Sequence, residues 1–221
     1  MHIQRLQLFG HDVAAQLAWY AQAGWEVADP CRVRIGASWL EFVANPQPVI
    51  YHYAIAVKPG SIDAVQRWCL QHYGANQAAL CRHIHAFTEW RAHAVYVRDA
   101  LGNIVEFIAH HGDTPEVCAT PFAPDEALSV CEIGIAASDV TAMSAHLRHN
   151  YGLPDYHDFN DSFHAVGTDS GRFIVVAPQR TWYPEQTVPA QRTPLHITFA
   201  DATGTRHALH FGEPDALPQR T

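Results

Sequence analysis

The sequence predicts an α+β fold built from repeated β-α-β-β-β modules. A strand, a helix and two or three short strands follow one another in the first 46 residues, and the same order begins again near residues 50 and 128. The segments WLEFV (39–43) and IVEFI (104–108), which end the first two copies, match almost position for position. A pattern that recurs along a chain is the signature of an internal structural repeat.

The first module covers residues 1–46. The segment from Ile3 to Phe9 alternates as a half-buried strand does, and DVAAQLAWYAQAG follows as a helix with Asp12 as its N-cap and Gly24 as its stop. The segments WEVAD, RVRIGAS and WLEFVAN, rich in Val, Ile, Trp and Phe, then predict two or three strands.

The second module covers residues 50–112 and repeats this order. A strand YHYAIAV precedes a helix SIDAVQRWCLQHYG, which begins at Ser61 and runs to Gly74. The strands RAHAVYVRD and NIVEFIAHH follow, joined by the turn DALGN, in which Gly102 tolerates a positive φ. We therefore expect residues 1–112 to form one domain of two paired modules.

Residues 113–127 carry three prolines and little periodicity, which is typical of a linker. Beyond them, SVCEIGIAAS predicts a strand, DVTAMSAHLRHNYG a helix between Asp139 and Gly152, and SFHAVGT and GRFIVVAP two further strands. The strands PLHITFAD and RHALHFG leave no room for a whole fourth module. We expect residues 128–221 to form a second, degenerate pair whose last module is truncated.

Composition and charge exclude several classes of protein. Of the 221 residues, 48% are hydrophobic and 16% are charged, which is typical of a globular chain. The formal charge of -8 has the wrong sign for a phosphate backbone, so we expect no nucleic-acid partner. No cationic leader and no apolar run of about 18 residues is present, so we expect a cytoplasmic protein with no membrane contact.

The cysteines are odd in number and lack any C-x-x-C spacing, which argues against a disulfide framework and a zinc knuckle. We expect reduced and mostly buried thiols at Cys31, Cys69, Cys81, Cys118 and Cys131.

Two segments carry a resemblance to a known family. HAVYVRDALGNIVEFI (93–108) and HYAIAV (52–57) resemble the strand-turn-strand and the opening strand of the vicinal oxygen chelate superfamily, which includes glyoxalase I, bleomycin-resistance proteins and extradiol dioxygenases. The match is best over residues 50–112. It implies modules paired into half-open mixed β-barrels with the helices outside, each pair around a divalent metal whose ligands come from the first and last strands of the modules.

Carried over to this sequence, the resemblance implies His52 and Glu106 as metal ligands from the second module and Glu41 from the first. One imidazole and two carboxylates suit Fe, Mn, Ni, Co or Zn and leave coordination positions open for substrate oxygens. Arg5 aligns with His52 in the first module. A guanidinium has no lone pair for a metal, so the four-ligand pattern is incomplete.

Further residues are assigned by analogy. Glu106 and His93 are the candidate catalytic residues, and His93 is also a candidate for substrate contact or proton transfer. His85 and Trp90 are expected to line the substrate pocket, since pockets combine apolar walls with a few polar groups. Arg5 is a further candidate for substrate binding.

Simpler interpretations stay open for the same residues. His52 fits an ordinary strand histidine that is satisfied by a hydrogen bond. Glu41 fits an ion pair with Arg5, which would leave it no reason to bind a metal.

The second half resembles a scaffold. Glu132 aligns with His52, Val175 aligns with Glu106, and His196 lies near the expected ligand of the fourth module. Two such residues rarely bind a metal tightly. We expect this half to cover sheet edges or to contribute to a homodimer.

Three functions compete. The leading hypothesis is a metal-dependent enzyme of the glyoxalase or extradiol dioxygenase type, a lyase, isomerase or dioxygenase, that acts on a small oxygen-chelating substrate. The alternative is a metal-free small-molecule-binding protein that resembles the bleomycin-resistance proteins, and an ion pair between Arg5 and Glu41 would favour it. A purely structural protein that binds a partner ranks last.

Overall fold

The structure is a computed structural model that describes residues 1–111, 121–212 and 219–220. Within these residues, three α-helices and fifteen strands follow the modular order that the sequence predicts. The first module contains β1 (His2–Gly10), α1 (Val13–Gln22), β2 (Val27–Asp29), β3 (Arg32–Ile35) and β4 (Ser38–Ala44). The second contains β5 (His52–Ala56), α2 (Ile62–Cys81), β6 (His85–Phe87), β7 (Ala92–Arg98) and β8 (Ile104–His110).

The second half repeats the order and then shortens it. The third module contains β9 (Ser129–Ala136), α3 (Val140–Tyr151), β10 (Asp155–Asn160), β11 (Phe163–Thr168) and β12 (Gly171–Val176). The fourth contains β13 (Leu195–Ala200), β14 (Arg206–Phe211) and β15 (Gln219–Arg220), and no helix separates β13 from β14. The α+β fold is therefore confirmed. Most of the predicted linker, residues 113–120 with Cys118, lies outside the described residues.

The helix boundaries follow the capping signals, with one exception. Asp12 accepts a hydrogen bond from the backbone N–H of Ala15 at 2.9 Å, and Asp139 caps α3 in the same way. The predicted end of the second helix at Gly74 is wrong, because α2 continues to Cys81. Tyr73 and Cys81 are both buried on this helix, so packing extends it past the glycine.

The strands form two curled sheets within the described residues. The first sheet has the order β15-β14-β13-β1-β4-β3-β2, and the second has the order β10-β11-β12-β9-β5-β8-β7-β6. In each complete module the first and last strands are parallel neighbours, as in β1 with β4, β5 with β8, and β9 with β12. This shared geometry confirms the repeat.

The pairing of modules differs from the expected one. β1 pairs antiparallel with β13, and β5 pairs antiparallel with β9, so the first sheet joins modules one and four and the second sheet joins modules two and three. The free edge of each first strand must find another strand to satisfy its N–H and C=O groups. Nothing in the hydrophobic pattern specifies which module supplies that strand. Residues 1–112 and 128–221 therefore each contribute to both sheets.

The main hydrophobic core lies on one face of each sheet, which we call the core face. It contains Leu6 and Phe42 from the first sheet, Ile55 and Phe107 from the second, and side chains from all three helices, such as Leu147. Because side chains alternate along a strand, the neighbouring positions point to the opposite side. We call that side the distal face, and it carries the candidate site residues.

A buried carboxylate connects the first module to the second. Asp99, which is 6% exposed, accepts hydrogen bonds from Gln16 Nε2 at 2.5 Å, from Tyr53 Oη at 3.1 Å and from the backbone N–H of Leu101 and Asn103. Burial raises the pKa of Asp99, while the hydrogen bonds from Asn103 and Gln16 oppose the rise. The DALGN turn therefore fixes helix α1 against strand β5.

Two further observations bear on the sequence predictions. Four cysteines of the described residues are free, and three of them, Cys69, Cys81 and Cys131, are buried. Among the helices of the described residues, none combines the length and the apolar character that crossing a membrane requires.

We expect Asp99→Ala to lower the free energy of unfolding by about 3 kcal/mol, because several buried donors lose a charged acceptor at once. Urea unfolding followed by circular dichroism measures the change. The control is Asp161→Ala, in an exposed turn, with an expected change below about 0.5 kcal/mol. Equal effects in both variants would contradict the structural role of Asp99.

Candidate functional site

His52 and Glu106 come together on the distal face of the second sheet. His52 begins β5, and Glu106 lies on β8 directly opposite Ala54. The His52 Nε2 and Glu106 Oε2 atoms are 3.1 Å apart, and the two residues are 7% and 3% exposed. Because a carboxylate only accepts hydrogen bonds, Nε2 carries the proton of this contact. Nδ1 of His52 is buried and has no hydrogen-bond partner among the described residues.

The alternation of β5 explains this placement. His52, Ala54 and Ala56 share the distal face, whereas Tyr53 and Ile55 point into the main core. The distal face beside the imidazole is therefore lined by methyl groups. Strand β7 adds Ala92 and Ala94 to this floor of small side chains.

A second buried pair lies on the same face. Arg172, which is fully buried, forms an ion pair with Glu132, and its Nη2 donates to His110 Nε2 at 2.7 Å. The guanidinium also lies over the rings of Trp90 and Tyr156, at 4.9 and 4.3 Å from their centroids. Arg172 has only donors, so His110 Nε2 is the acceptor and the imidazole is neutral.

The pKa directions agree with this arrangement. Burial raises the pKa of Glu132, and the Arg172 guanidinium opposes the rise. Burial and then the neighbouring Arg172 lower the pKa of His110. Burial and the nearby Glu106 carboxylate raise the pKa of Tyr96 well above its usual value. The negative charges of Glu106 and Glu132 raise the free energy of any further anion at this point.

A hairpin-like segment, residues 179–190, covers this face, and we call it the strap. Its residue Trp182 is 5% exposed and lies edge-on to His52, with ring centroids 5.2 Å apart. The indole also packs on Gly134, where a Cβ atom would be 2.5 Å from Trp182 Cη2. Only glycine therefore permits this close contact.

Two polar contacts fix the strap to the second module. Tyr183 Oη lies 2.5 Å from His85 Nδ1, and Glu185 Oε2 accepts from Arg98 Nε at 2.9 Å. The strap joins the third module to the fourth. Its contacts therefore close the face that carries His52.

Glu41 does not join His52 and Glu106. It lies on β4 in the first sheet, where its Oε2 accepts from Arg5 Nε at 2.7 Å and from Gln7 Nε2 at 3.0 Å. The ligand set of His52, Glu106 and Glu41 is therefore split between two sheets. The cause is the module pairing, which places the first and second modules in different sheets. Arg5 likewise lies in the first sheet, away from the His52 site.

The remaining predicted residues, His85, Trp90 and His93, lie on two different faces of the second sheet. His85 and Trp90 lie on the side of the second sheet that carries His52, where the Trp90 ring packs 5.2 Å from Tyr156. His93 points away from it, because it alternates with Ala92 and Ala94, and it contacts His111. The structure therefore does not bring His93 to Glu106.

The strand registers identify equivalent positions in the modules. Glu106 pairs across the strands with Ala54, which is two residues after His52. Glu41 pairs in the same way with Gln7, which is two residues after Arg5. Arg5 is therefore the equivalent of His52, as the sequence predicts. Tyr53 pairs with Ile133 and Leu6 with Ile197, which makes Glu132 and His196 the equivalents in the third and fourth modules.

The predicted match of Val175 to Glu106 is wrong by one position. Ile174 lies opposite Gly134, the equivalent of Ala54, whereas Val175 points into the main core. A shift by one residue exchanges the two faces of a strand.

These residues do not assemble a metal centre in the arrangement that the structure shows. In the described part of the chain, no three His, Cys, Asp or Glu side chains converge in a way that would hold a metal ion. His52 and Glu106 contribute two donors, while the third carboxylate, Glu132, is bound by Arg172.

Sequence reasoning missed several residues of the site. Arg172 was detectable, because in GRFIVV it alternates onto the face of Ile174 and Val176. Trp182 gives no periodic signal, since it lies in the strap and depends on a tertiary contact. Glu132 was assigned to a separate scaffold, although β9 is the direct neighbour of β5.

Comparison with known proteins supports the fold. No protein-family model and no curated protein matches the chain. A crystal structure of a candidate dioxygenase from Bacillus subtilis is similar, with 13% identity, a TM-score of 0.56, and coverage of 97% of this chain and 86% of that one. Glyoxalase I from Zea mays is similar with 11% identity, a TM-score of 0.51, and coverage of 98% and 90%. At these identities the likeness shows the fold alone, and it is the fold that the resemblance to the vicinal oxygen chelate superfamily implies.

We expect Arg172→Met to destabilise the protein by about 3 to 5 kcal/mol at pH 8, because Glu132 loses its partner in a buried position. Without the guanidinium, burial raises the pKa of Glu132 further. A raised pKa of a carboxyl in the folded state favours folding at low pH, and this contribution is lost as the pH rises through that pKa. The loss should therefore be smaller at pH 5 than at pH 8.

Urea unfolding at both pH values measures this difference. Adding Glu132→Gln to Arg172→Met removes the unpaired charge and should recover part of the stability at pH 8. Arg67→Met, at an exposed helix position, is the matched control. An identical loss at pH 5 and pH 8 would show that Glu132 is not left charged and unpaired.

Proposed function

We propose that the protein binds a small, flat, apolar ligand on the distal face of the second sheet, without a resident metal. The observation that carries this proposal is the position of Trp182. Its indole ring already lies against His52, on a floor of alanine side chains. If the strap moved away from this face, a ligand ring of similar size would contact His52 and the alanine side chains in place of Trp182.

The polar groups of the face suggest what the ligand carries. His52 donates a hydrogen bond from Nε2 to Glu106, and in the neutral form of the imidazole Nδ1 is then an acceptor. This buried acceptor has no partner among the described residues, and an unsatisfied buried polar atom costs about 1 to 3 kcal/mol. A hydroxyl group on the ligand would donate to it. A phenol combines the ring and the donor that this face accepts.

The carboxylates argue against a resident metal. Glu106 is bound by His52, Glu132 by Arg172, and Glu41 by Arg5. Each negative charge therefore has a cation or a donor from the protein itself, and a metal would have to displace it. The ion pair between Arg5 and Glu41 favours metal-free binding, because it leaves Glu41 no reason to bind a metal.

We expect 4-methylphenol, which keeps its hydroxyl proton at neutral pH, to bind and to change the fluorescence of Trp182, while 4-methylanisole, which lacks the hydroxyl donor, binds roughly tenfold more weakly. His52→Ala should remove this difference between the two probes. Calorimetry measures the affinities, and Trp182→Phe identifies the fluorescence signal. The control is His72→Ala, on helix α2. The proposal fails if wild type binds both probes equally, or if His52→Ala keeps the preference.

A second candidate function is a metal-dependent enzyme of the glyoxalase or extradiol dioxygenase type. One distance favours it. Two ligand atoms bound at right angles to one ion, each at about 2.1 Å, lie about 3 Å apart, and His52 Nε2 and Glu106 Oε2 are 3.1 Å apart. Glu132 is the third donor available on this face, and it would have to leave Arg172.

Metal analysis separates the two functions. We expect protein purified without a chelating resin to contain less than about 0.1 equivalent of Fe, Mn, Ni, Co or Zn, because a site with two donors holds a metal weakly. His52→Ala should have the same content. About one equivalent in the wild type that is lost in His52→Ala would overturn metal-free binding and support the enzyme.

A further inference from the structure

The distal face of the first sheet carries a second set of polar residues that the His52 site does not include. Across this sheet, one row contains Arg34, Trp39, Arg5 and Thr198, in the order β3, β4, β1 and β13. The next row contains Arg32, Glu41, Gln7, His196 and His210. Arg5 and Arg32 have side chains that are 44% and 41% exposed, so solvent reaches this face.

The two carboxylates of this face are already paired. Asp29 binds Arg32, and Glu41 binds Arg5. Arg34 has no carboxylate partner among the described residues. Its guanidinium lies over the Trp39 ring, 4.7 Å from the centroid. Among the described residues, the three arginines of this face, Arg5, Arg32 and Arg34, therefore outnumber the two carboxylates that pair with them, although the chain as a whole has a net charge of -8.

The equivalent positions of the two sheets differ in charge. In the second sheet these positions hold His52, Glu106 and Glu132, with a formal charge of minus two when the imidazole is neutral. In the first sheet they hold Arg5, Glu41 and His196, whose formal charges cancel. Burial, and then His210 and Arg5, lower the pKa of His196, so this imidazole is neutral near pH 7. The same scaffold positions therefore disfavour an anion in one sheet and tolerate one in the other.

We infer that the distal face of the first sheet binds a small oxyanion with a flat body, such as an aromatic carboxylate or phosphate. Arg34 and Arg5 lie on the two strands that flank Trp39, in the same row. Two strand spacings of about 4.8 Å place their backbones about 10 Å apart. The Arg34 guanidinium, which lies over the indole, is the first donor to an anion bound here, and the terminal nitrogens of Arg5, whose Nε is bound to Glu41, are the second; guanidinium groups bind carboxylate and phosphate oxygens in a bidentate manner. The flat body of the ligand then packs against the stacked pair of Arg34 and Trp39.

The stacked imidazoles of His196 and His210 extend this face on the other side of Arg5. Their ring centroids are 3.8 Å apart, and the edge of Phe9 lies 5.3 Å from His196. Each imidazole can supply an N–H donor. A ligand longer than one ring would find hydrogen-bond donors there.

The experiment titrates the whole protein with benzoate and phenyl phosphate, and with benzyl alcohol as the neutral probe. We expect both anions to bind and benzyl alcohol to bind roughly tenfold more weakly, since charge-assisted hydrogen bonds to arginine are lost. Arg34→Gln should weaken the anions by roughly tenfold, and the affinity should fall at high salt. Arg67→Gln, at an exposed position on α2, is the matched control and should change nothing.

Equal binding of benzoate by Arg34→Gln and Arg67→Gln would overturn the inference, as would equal binding of benzoate and benzyl alcohol. Thermal unfolding of both variants checks that neither substitution disturbs the fold. The inference stands apart from the proposed function. Arg34→Gln should leave 4-methylphenol binding unchanged, and His52→Ala should leave benzoate binding unchanged.

Discussion

The structure depends on one electrostatic constraint, which is that a buried charge must have a partner. Glu132 and Arg172 are almost completely buried and satisfy each other, and Arg172 also binds His110. Desolvation of either ion alone costs several kcal/mol, so the two strands that carry them are held in one register. That register places His52 and Glu106 beside the pair and leaves room for Trp182 above Gly134. The candidate site is therefore a consequence of how buried charge is neutralised.

The repeated modules give the two sheets the same backbone arrangement but different polar side chains at equivalent positions. The first strands of the four modules place Arg5, His52, Glu132 and His196 at equivalent positions. Because the modules pair one with four and two with three, His52 shares its sheet with Glu132, while Arg5 shares the other sheet with His196. One face is closed by the strap and lined by small side chains. The other is open and cationic in character.

Much of the fold was predictable from the sequence, because strand alternation and helix caps are local signals. The order of elements, the caps at Asp12 and Asp139, the equivalence of Arg5 with His52 and the truncated fourth module all follow from such signals. The pairing of the modules could not be predicted, because the first strand of any module can form backbone hydrogen bonds with the free edge of any other first strand. This single unknown explains why Glu41 was grouped with His52. His93 was carried over by resemblance, and the alternation of β7 places it on the opposite face.

The central claim is that Glu106, and not a metal, holds His52 through Nε2. Nitrogen-15 NMR of the His52 ring, assigned with His52→Ala, tests it most directly. We expect a protonated Nε2 and an unprotonated Nδ1 at pH 8, with no change when a chelator is added. Addition of 4-methylphenol, which keeps its hydroxyl proton at this pH, should shift the Nδ1 signal. An unprotonated Nε2 whose signal changes with the chelator would contradict the account and identify His52 as a metal ligand.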